Sequence, residues 1–158
     1  MGIESITDQK IHELLVSGKR ITNPNARETH KDSHIQKNYQ IQSDDGQSFV
    51  LYLRQNKRMP DNFSCGLSWN MPSGDTLTLV RYNGSSHAHR NKIEGEAVDF
   101  ICHIHKATER YIKAGMKAES YAEKTELYST LEGALHQLML DCNISGIETK
   151  PDEPDFFT

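Results

Sequence analysis

The sequence predicts an α+β fold: a mostly antiparallel five-stranded sheet, a C-terminal amphipathic helix packed on one face, and a short N-terminal helix. Two patterns carry that prediction. Between residues 39 and 105 apolar and polar side chains alternate in short runs, and the early connections are too short for a parallel crossover. Near the C-terminus Leu131, Ala134, Leu135, Leu138, Met139 and Cys142 recur at helical spacing, a stripe wide enough to cover one face of a sheet. A chain of 158 residues suits one domain with a real core.

Thr7 is placed to cap the first helix, Ile11, Leu14 and Leu15 form its apolar stripe, and Gly18 stops it. Residues 18–38, almost without apolar side chains and turned at Asn23-Pro24-Asn25, read as a mobile polar arm. Tyr39 and Ile41 open the first strand, Asp45-Gly46 supplies a type I′ turn, and Phe49, Leu51 and Leu53 continue the alternation. Phe63, Cys65, Leu67 and Trp69 line one face of a third strand. After Pro72-Ser73-Gly74-Asp75, Leu77 and Leu79 share one face of a fourth strand, with Val80 and Tyr82 on the other. In the fifth, Val98, Phe100, Cys102 and Ile104 face one way, while Asp99, Ile101, His103 and His105 face the other.

The sheet so read spans residues 38–106. Its apolar face, with Phe49, Leu51, Leu67, Trp69, Val98, Phe100 and Ile104, is expected to meet Leu131, Leu135 and Leu138. Residues 106–128 are polar, with Tyr111 and Ile112 pairing briefly before Gly115. Ser129-Thr130-Leu131-Glu132 matches a capping box ahead of a helix from Thr130 to Asp141. The domain is read as 1–147, and 148–158 as a flexible acidic tail whose Phe156 and Phe157 offer docking groups.

The net charge of -4 and pI of about 6.0 give no general polyanion-binding character. Basic residues gather near the N-terminus and acidic ones at the end. Cys65, Cys102 and Cys142 are odd in number and lack C-x-x-C spacing, which points to reduced thiols and a cytosolic, cytoplasmic setting. No leader opens the chain, and no apolar run approaches the ~20 residues of a membrane span. Phosphate-binding glycine loops and serine elbows are also missing.

Chemistry concentrates in the histidines. Four of the eight fall in two His-x-His pairs, His87-Ala88-His89 and His103-Ile104-His105. On a strand each pair presents its imidazoles on one face, about 6 to 7 Å apart along the backbone. Both pairs are expected to converge on one pocket with Arg90 and Asp99. Imidazoles titrate near neutral pH and suit proton transfer in RNA cleavage, while Arg81, Arg90, Lys106 and Tyr82 suit binding of the phosphodiester substrate. Zinc is the alternative cofactor, held by His87, His89 and His103 with oxygen from Asp99 or Glu94. His12, His30, His34 and His136 read as structural or solvated.

Leu79-Val80-Arg81-Tyr82-Asn83-Gly84, the histidine pairs, and the helix opened by Tyr128-Ser129-Thr130-Leu131 resemble a known layout. Residues 79–143 are similar to small bacterial proteins of mobile-element and toxin–antitoxin neighbourhoods, in particular the TumE-like toxin group. There a strand ending in Arg-Tyr-Asp-Asn precedes a histidine-rich loop and an amphipathic helix. The expected function is a toxin-like, metal-independent endoribonuclease using His87, His89, His103 and His105, with no cofactor and with RNA as partner. A non-enzymatic binding module for a cognate protein or nucleic acid is the alternative, and a zinc-dependent hydrolase the second. None of the three readings involves a membrane.

Overall fold

The computed structural model describes residues 2–152. Its elements are a 3-10 turn (Ile3–Ser5), α1 (Asp8–Val16), β1 (Lys19–Ile21), β2 (Thr29–His30), β3 (His34–Ser43), β4 (Ser48–Asn56), β5 (Phe63–Asn70), β6 (Thr76–Asn83), β7 (His89–Arg90), β8 (Ala97–Val98), β9 (His103–Lys106), α2 (Glu109–Lys113), β10 (Tyr121–Lys124), α3 (Leu131–Asp141) and β11 (Ile144–Ser145). Nine strands form one mixed sheet in the order β10-β9-β6-β5-β4-β3-β1-β11, with β2 added on β3, and β7 and β8 form a separate ribbon.

The expected five-stranded sheet is therefore corrected to a nine-stranded mixed sheet plus a two-stranded ribbon. The stretch read as an arm at 18–38 contributes β1 and β2 and the start of β3. Lys19 and Ile21 bury between β3 and β11, and the β1–β11 pair is parallel. Lys19 hid this strand, because a lysine reads as solvent-facing. Its ammonium instead donates to the carbonyls of Leu15 (2.8 Å), Ser17 (2.8 Å) and Cys142 (2.9 Å), and burial pulls its pKa down to about 8.

The continuous fifth strand is also corrected. Ala97 and Val98 pair with β7, the chain turns at Asp99 to Ile101, and Phe100 is 72 % exposed, so only His103–Lys106 joins β6. Residues 106–128 supply α2, capped by Thr108, and the edge strand β10.

Two turns differ in detail. Gly46 takes a φ of 84° while Asp45 stays out of the left-handed region, so the hairpin is a longer loop closed by Gly46 and not a type I′ turn. At α3 the cap is Thr130, accepting from Gly133 N at 3.0 Å. Ser129 instead donates through its backbone N (2.5 Å) and hydroxyl (2.8 Å) to Asp152, which fixes the described part of the tail on this helix end. Phe156 and Phe157 lie outside the described residues. Thr7 caps α1 as expected, accepting from Lys10 N at 3.1 Å.

One sheet face is apolar. Ile41, Phe49 and Trp69 stand in register across β3, β4 and β5, and so do Tyr39, Leu51, Leu67 and Val80 across β3 to β6. α3 lays Ala134, Leu135, Leu138 and Met139 over them, all buried, because a one-sided sheet and an amphipathic helix each need a partner. A β-bulge between Leu67 and Ser68 inserts Leu79 into β6, so Leu77 and Val80 both pair into the apolar face. The expected split of Leu77 from Val80 fails for that reason. The same bulge sends Arg81 and Asn83 to the opposite face. That face is polar and carries the candidate site.

Candidate functional site

Strand parity builds the polar face. Opposite Ile104, which pairs with Tyr82 on the apolar side, His103 and His105 stand beside Asn83 and Arg81. Across β6, Arg81 faces Gly66 of β5, which faces Tyr52 of β4, which faces Asn38 of β3. Two residues along, Asn83, Ser64, Arg54 and Gln36 repeat the row. Over one end lies the β7–β8 ribbon with His89. Asn91, 2 % exposed, fastens it to the sheet: its amide donates to Ala122 O and accepts from Ala122 N, both at 2.8 Å.

The ribbon brings three imidazoles together. Ring centroids are 4.7 Å apart for His89 and His105, 5.0 Å for His103 and His105, and 6.2 Å for His89 and His103. Each ring has one nitrogen committed as a donor. His103 Nδ1 donates to Ile101 O and His105 Nδ1 to Glu119 O, both at 2.9 Å, while His89 Nε2 donates to Asn91 Oδ1 at 3.1 Å. Nε2 of His103 and of His105 therefore carries the lone pair in the neutral ring. Burial, with Arg81 and neighbouring imidazoles adding to it, lowers His105 to about 3, and burial likewise lowers His103. Both rings are neutral at physiological pH.

A cleft of about 560 Å³ opens beside this cluster along the polar face. Tyr52, Arg54, Arg81, Asn83, His34, His87 and His103 line it, and among the described lining residues there is no Asp or Glu. In a chain of net charge -4, that local absence of carboxylates leaves a basic pocket. His34 Nδ1 accepts from Arg54 at 3.5 Å, and desolvation and the cations of Arg54, Lys31 and Lys57 hold its pKa down. Asn83 Oδ1 is buried without a hydrogen-bond partner among the described residues.

The expected residues divide by face. His103 and Arg81 line the cleft with His87 at its exposed rim, and His89 and His105 pack edge-on to one another behind. Tyr82 and Lys106 do not join them. Tyr82 is buried on the helix side, where its hydroxyl donates to Asp141, and Lys106 pairs with Glu123 at 3.1 Å. Arg90 is exposed on the ribbon and Asp99 is exposed in the loop, neither lining the cleft. Glu94 turns away to accept from Tyr111 at 2.6 Å and to pair with Arg110. Among the described residues, no three His, Cys, Asp or Glu side chains are placed to hold a metal ion. Burial raises the thiols, Cys142 to about 12, which disfavours thiolate chemistry.

Tyr52, Arg54 and His34 were not among the expected site residues. The signal was present: Gln36-Lys37-Asn38 and Tyr52-Leu53-Arg54 alternate, so their polar members had to share a face.

Fold and site together define an α+β protein whose sheet buries one face under a helix and opens the other as an arginine- and imidazole-lined cleft. The chain belongs to a family described as a family of unknown function (DUF6978), whose model matches residues 6–144. That span runs from before α1 to the first residue of β11. No curated protein and no solved structure matches the chain. Among the described residues no helix is long and apolar enough to cross a membrane.

Proposed function

We propose that the protein is a toxin-like endoribonuclease that cleaves RNA in this cleft by proton transfer between imidazoles. The observation that carries the reading is the carboxylate-free cleft, in which Arg81 and Arg54 stand with His34, His87 and His103 in an otherwise acidic chain. Phosphate binding needs local cations, not a basic total. The resemblance of residues 79–143 to toxin-like proteins and the free, buried cysteines agree with a small cytosolic bacterial enzyme.

His103 is suited to be the base. It is neutral, and its Nδ1 bond to Ile101 O aims the lone pair elsewhere, at Nε2. In the proposed reaction Nε2 takes the proton of a ribose 2′-hydroxyl and the 2′-oxygen attacks phosphorus. The P–O5′ bond then breaks, and His87 at the rim gives a proton to the leaving 5′-oxygen. Arg81 steadies the negative charge on the phosphorane oxygens. The products are a 2′,3′-cyclic phosphate and a 5′-hydroxyl. His105, neutral down to about pH 3, is no proton donor; it packs edge-on against His103 and positions it. Because Arg81 already places a positive charge beside His103 and His105, added metal charge there would be opposed.

Inducing the wild type and a His87→Ala, His103→Ala double variant in a bacterial host tests this. Wild type is expected to arrest growth and fragment RNA, and the variant, at equal soluble level, to do neither. Intact RNA with wild type, or equal fragmentation by the variant, overturns the reading and leaves a binding module for a nucleic-acid or protein partner. Cleavage abolished by chelation and restored by zinc would move the histidines to metal chemistry.

A further inference from the structure

We propose that Tyr52 is a base-stacking platform, so that the cleft accepts single-stranded RNA with an unpaired base and rejects a duplex. The inference rests on the reading of the cleft as an RNA site and adds the substrate class.

The geometry is specific. Tyr52 sits in mid-β4 on the polar face, directly across from Gly66. A Cβ at position 66 would lie 2.6 Å from Cε1 of the Tyr52 ring and closer still to Cζ and the hydroxyl. The ring therefore lies across the bare backbone of β5 and does not stand upright from the sheet. Glycine at 66 makes the room. Beyond Gly66 in the same row stands Arg81, whose positive charge acts on the Tyr52 hydroxyl and partly offsets the rise in its pKa on burial. One ring face rests on β5, and the ring still forms part of the cleft wall. Among the described residues no aromatic pair includes Tyr52, whereas Phe63, Tyr82 and Tyr128 cluster on the apolar side.

An aromatic laid flat between two arginines suits a splayed nucleotide. The base stacks on the ring while Arg54 and Arg81 meet the flanking phosphates. A-form duplex keeps its bases stacked on one another and offers no free face to Tyr52.

The test is fluorescence anisotropy with a labelled 2′-O-methyl oligonucleotide, which lacks the attacking hydroxyl and so cannot be cut, alone or annealed to its complement. The single strand is expected to bind at least tenfold tighter than the duplex. Tyr52→Ala should weaken single-strand binding about tenfold to a hundredfold. Tyr52→Phe should stay within about threefold, because the ring face remains. A 2-aminopurine placed in the strand should be quenched on binding wild type and Tyr52→Phe but not Tyr52→Ala. Gly66→Val, which lifts the ring without removing it, should behave like Tyr52→Ala while melting cooperatively. Equal affinity for single strand and duplex overturns the platform, and so does Tyr52→Ala binding like wild type. Tyr52→Phe binding as poorly as Tyr52→Ala would assign the effect to the hydroxyl and not the ring face, and overturn it too. Tyr52-dependent binding without cleavage of native RNA sinks the ribonuclease reading alone, whereas cleavage indifferent to Tyr52 sinks the platform alone.

Discussion

Taking the protein from pH 6.5 to pH 4.5 should destabilise the wild type by about 2 kcal/mol more than a His105→Asn variant. His105 is 4 % exposed, donates from Nδ1 to Glu119 O at 2.9 Å, and faces Arg81, His103 and His89. Burial and those neighbours lower its pKa from 6.5 to about 3. The unfolded chain therefore binds a proton near pH 6.5 that the folded chain refuses until about pH 3. Stability from the neutral ring is complete above pH 6.5 and is lost as pH falls towards about 3. Well inside that window each pH unit costs about 1.4 kcal/mol; at pH 6.5 the unfolded ring is only half protonated, so the two units together give about 2 kcal/mol. Asparagine keeps an amide donor near the Nδ1 position and cannot be protonated, so the variant lacks this slope. Stopping at pH 4.5 matters: the lowered carboxyls Asp45, Glu94 and Asp152 lose their stabilising contribution as pH falls through the carboxylate range below that point. Urea unfolding at pH 6.5, 5.5 and 4.5 measures the difference. Parallel stability curves for the two proteins would refute the reasoning, because they would mean that His105 titrates alike in both states.

Three further outcomes follow from the packing and the site. Leu138→Ala, at a fully buried position under α3, should lower unfolding free energy by about 2–5 kcal/mol with the fold retained, read from urea titration and the far-ultraviolet spectrum. Asn91→Ala removes two bonds to Ala122 and one to His89, so it should cost about 2–4 kcal/mol and raise hydrogen exchange at the Ala122 amide far more than at β4 amides. Asp152→Ala unties the segment after β11 from Ser129 and Thr130; it should lower stability by about 0.5–2 kcal/mol and leave any RNA cleavage unchanged, since it lies away from the cleft.

How far the sequence could be read depends on what each residue type reveals. The meander from Tyr39 to Tyr82 and the helix at Leu131 were legible because alternation and a 3.6-residue period are direct records of which side chains bury. β1 was not, because Lys19 is buried through three carbonyl bonds that only tertiary structure supplies. Val98 and Ile104 share parity and so read as one continuous strand, yet Val98 serves a separate ribbon. At the site, the parity of His103 and His105 was readable, whereas the bulge that re-aims Arg81 was not: one extra residue inverts every assignment beyond it. Tyr82 and Lys106 lie close to the histidines in sequence, but cross-strand pairing puts them on the other face. Arg54 and His34 come from a distant hairpin, so their contribution to the cleft depended on strand order, which composition does not encode.

The central claim is that the carboxylate-free cleft cuts RNA by imidazole proton transfer, and one measurement meets it most directly. Purified protein is incubated, with chelator present, with a single-stranded oligodeoxynucleotide carrying one ribonucleotide, and the product ends are identified by mass. Wild type is predicted to leave a 2′,3′-cyclic phosphate and a 5′-hydroxyl at that ribonucleotide, with His103→Gln and Arg81→Met each slower by about a hundredfold or more. No cleavage by wild type, cleavage that survives in His103→Gln, or products with 3′-hydroxyl and 5′-phosphate ends would contradict the account.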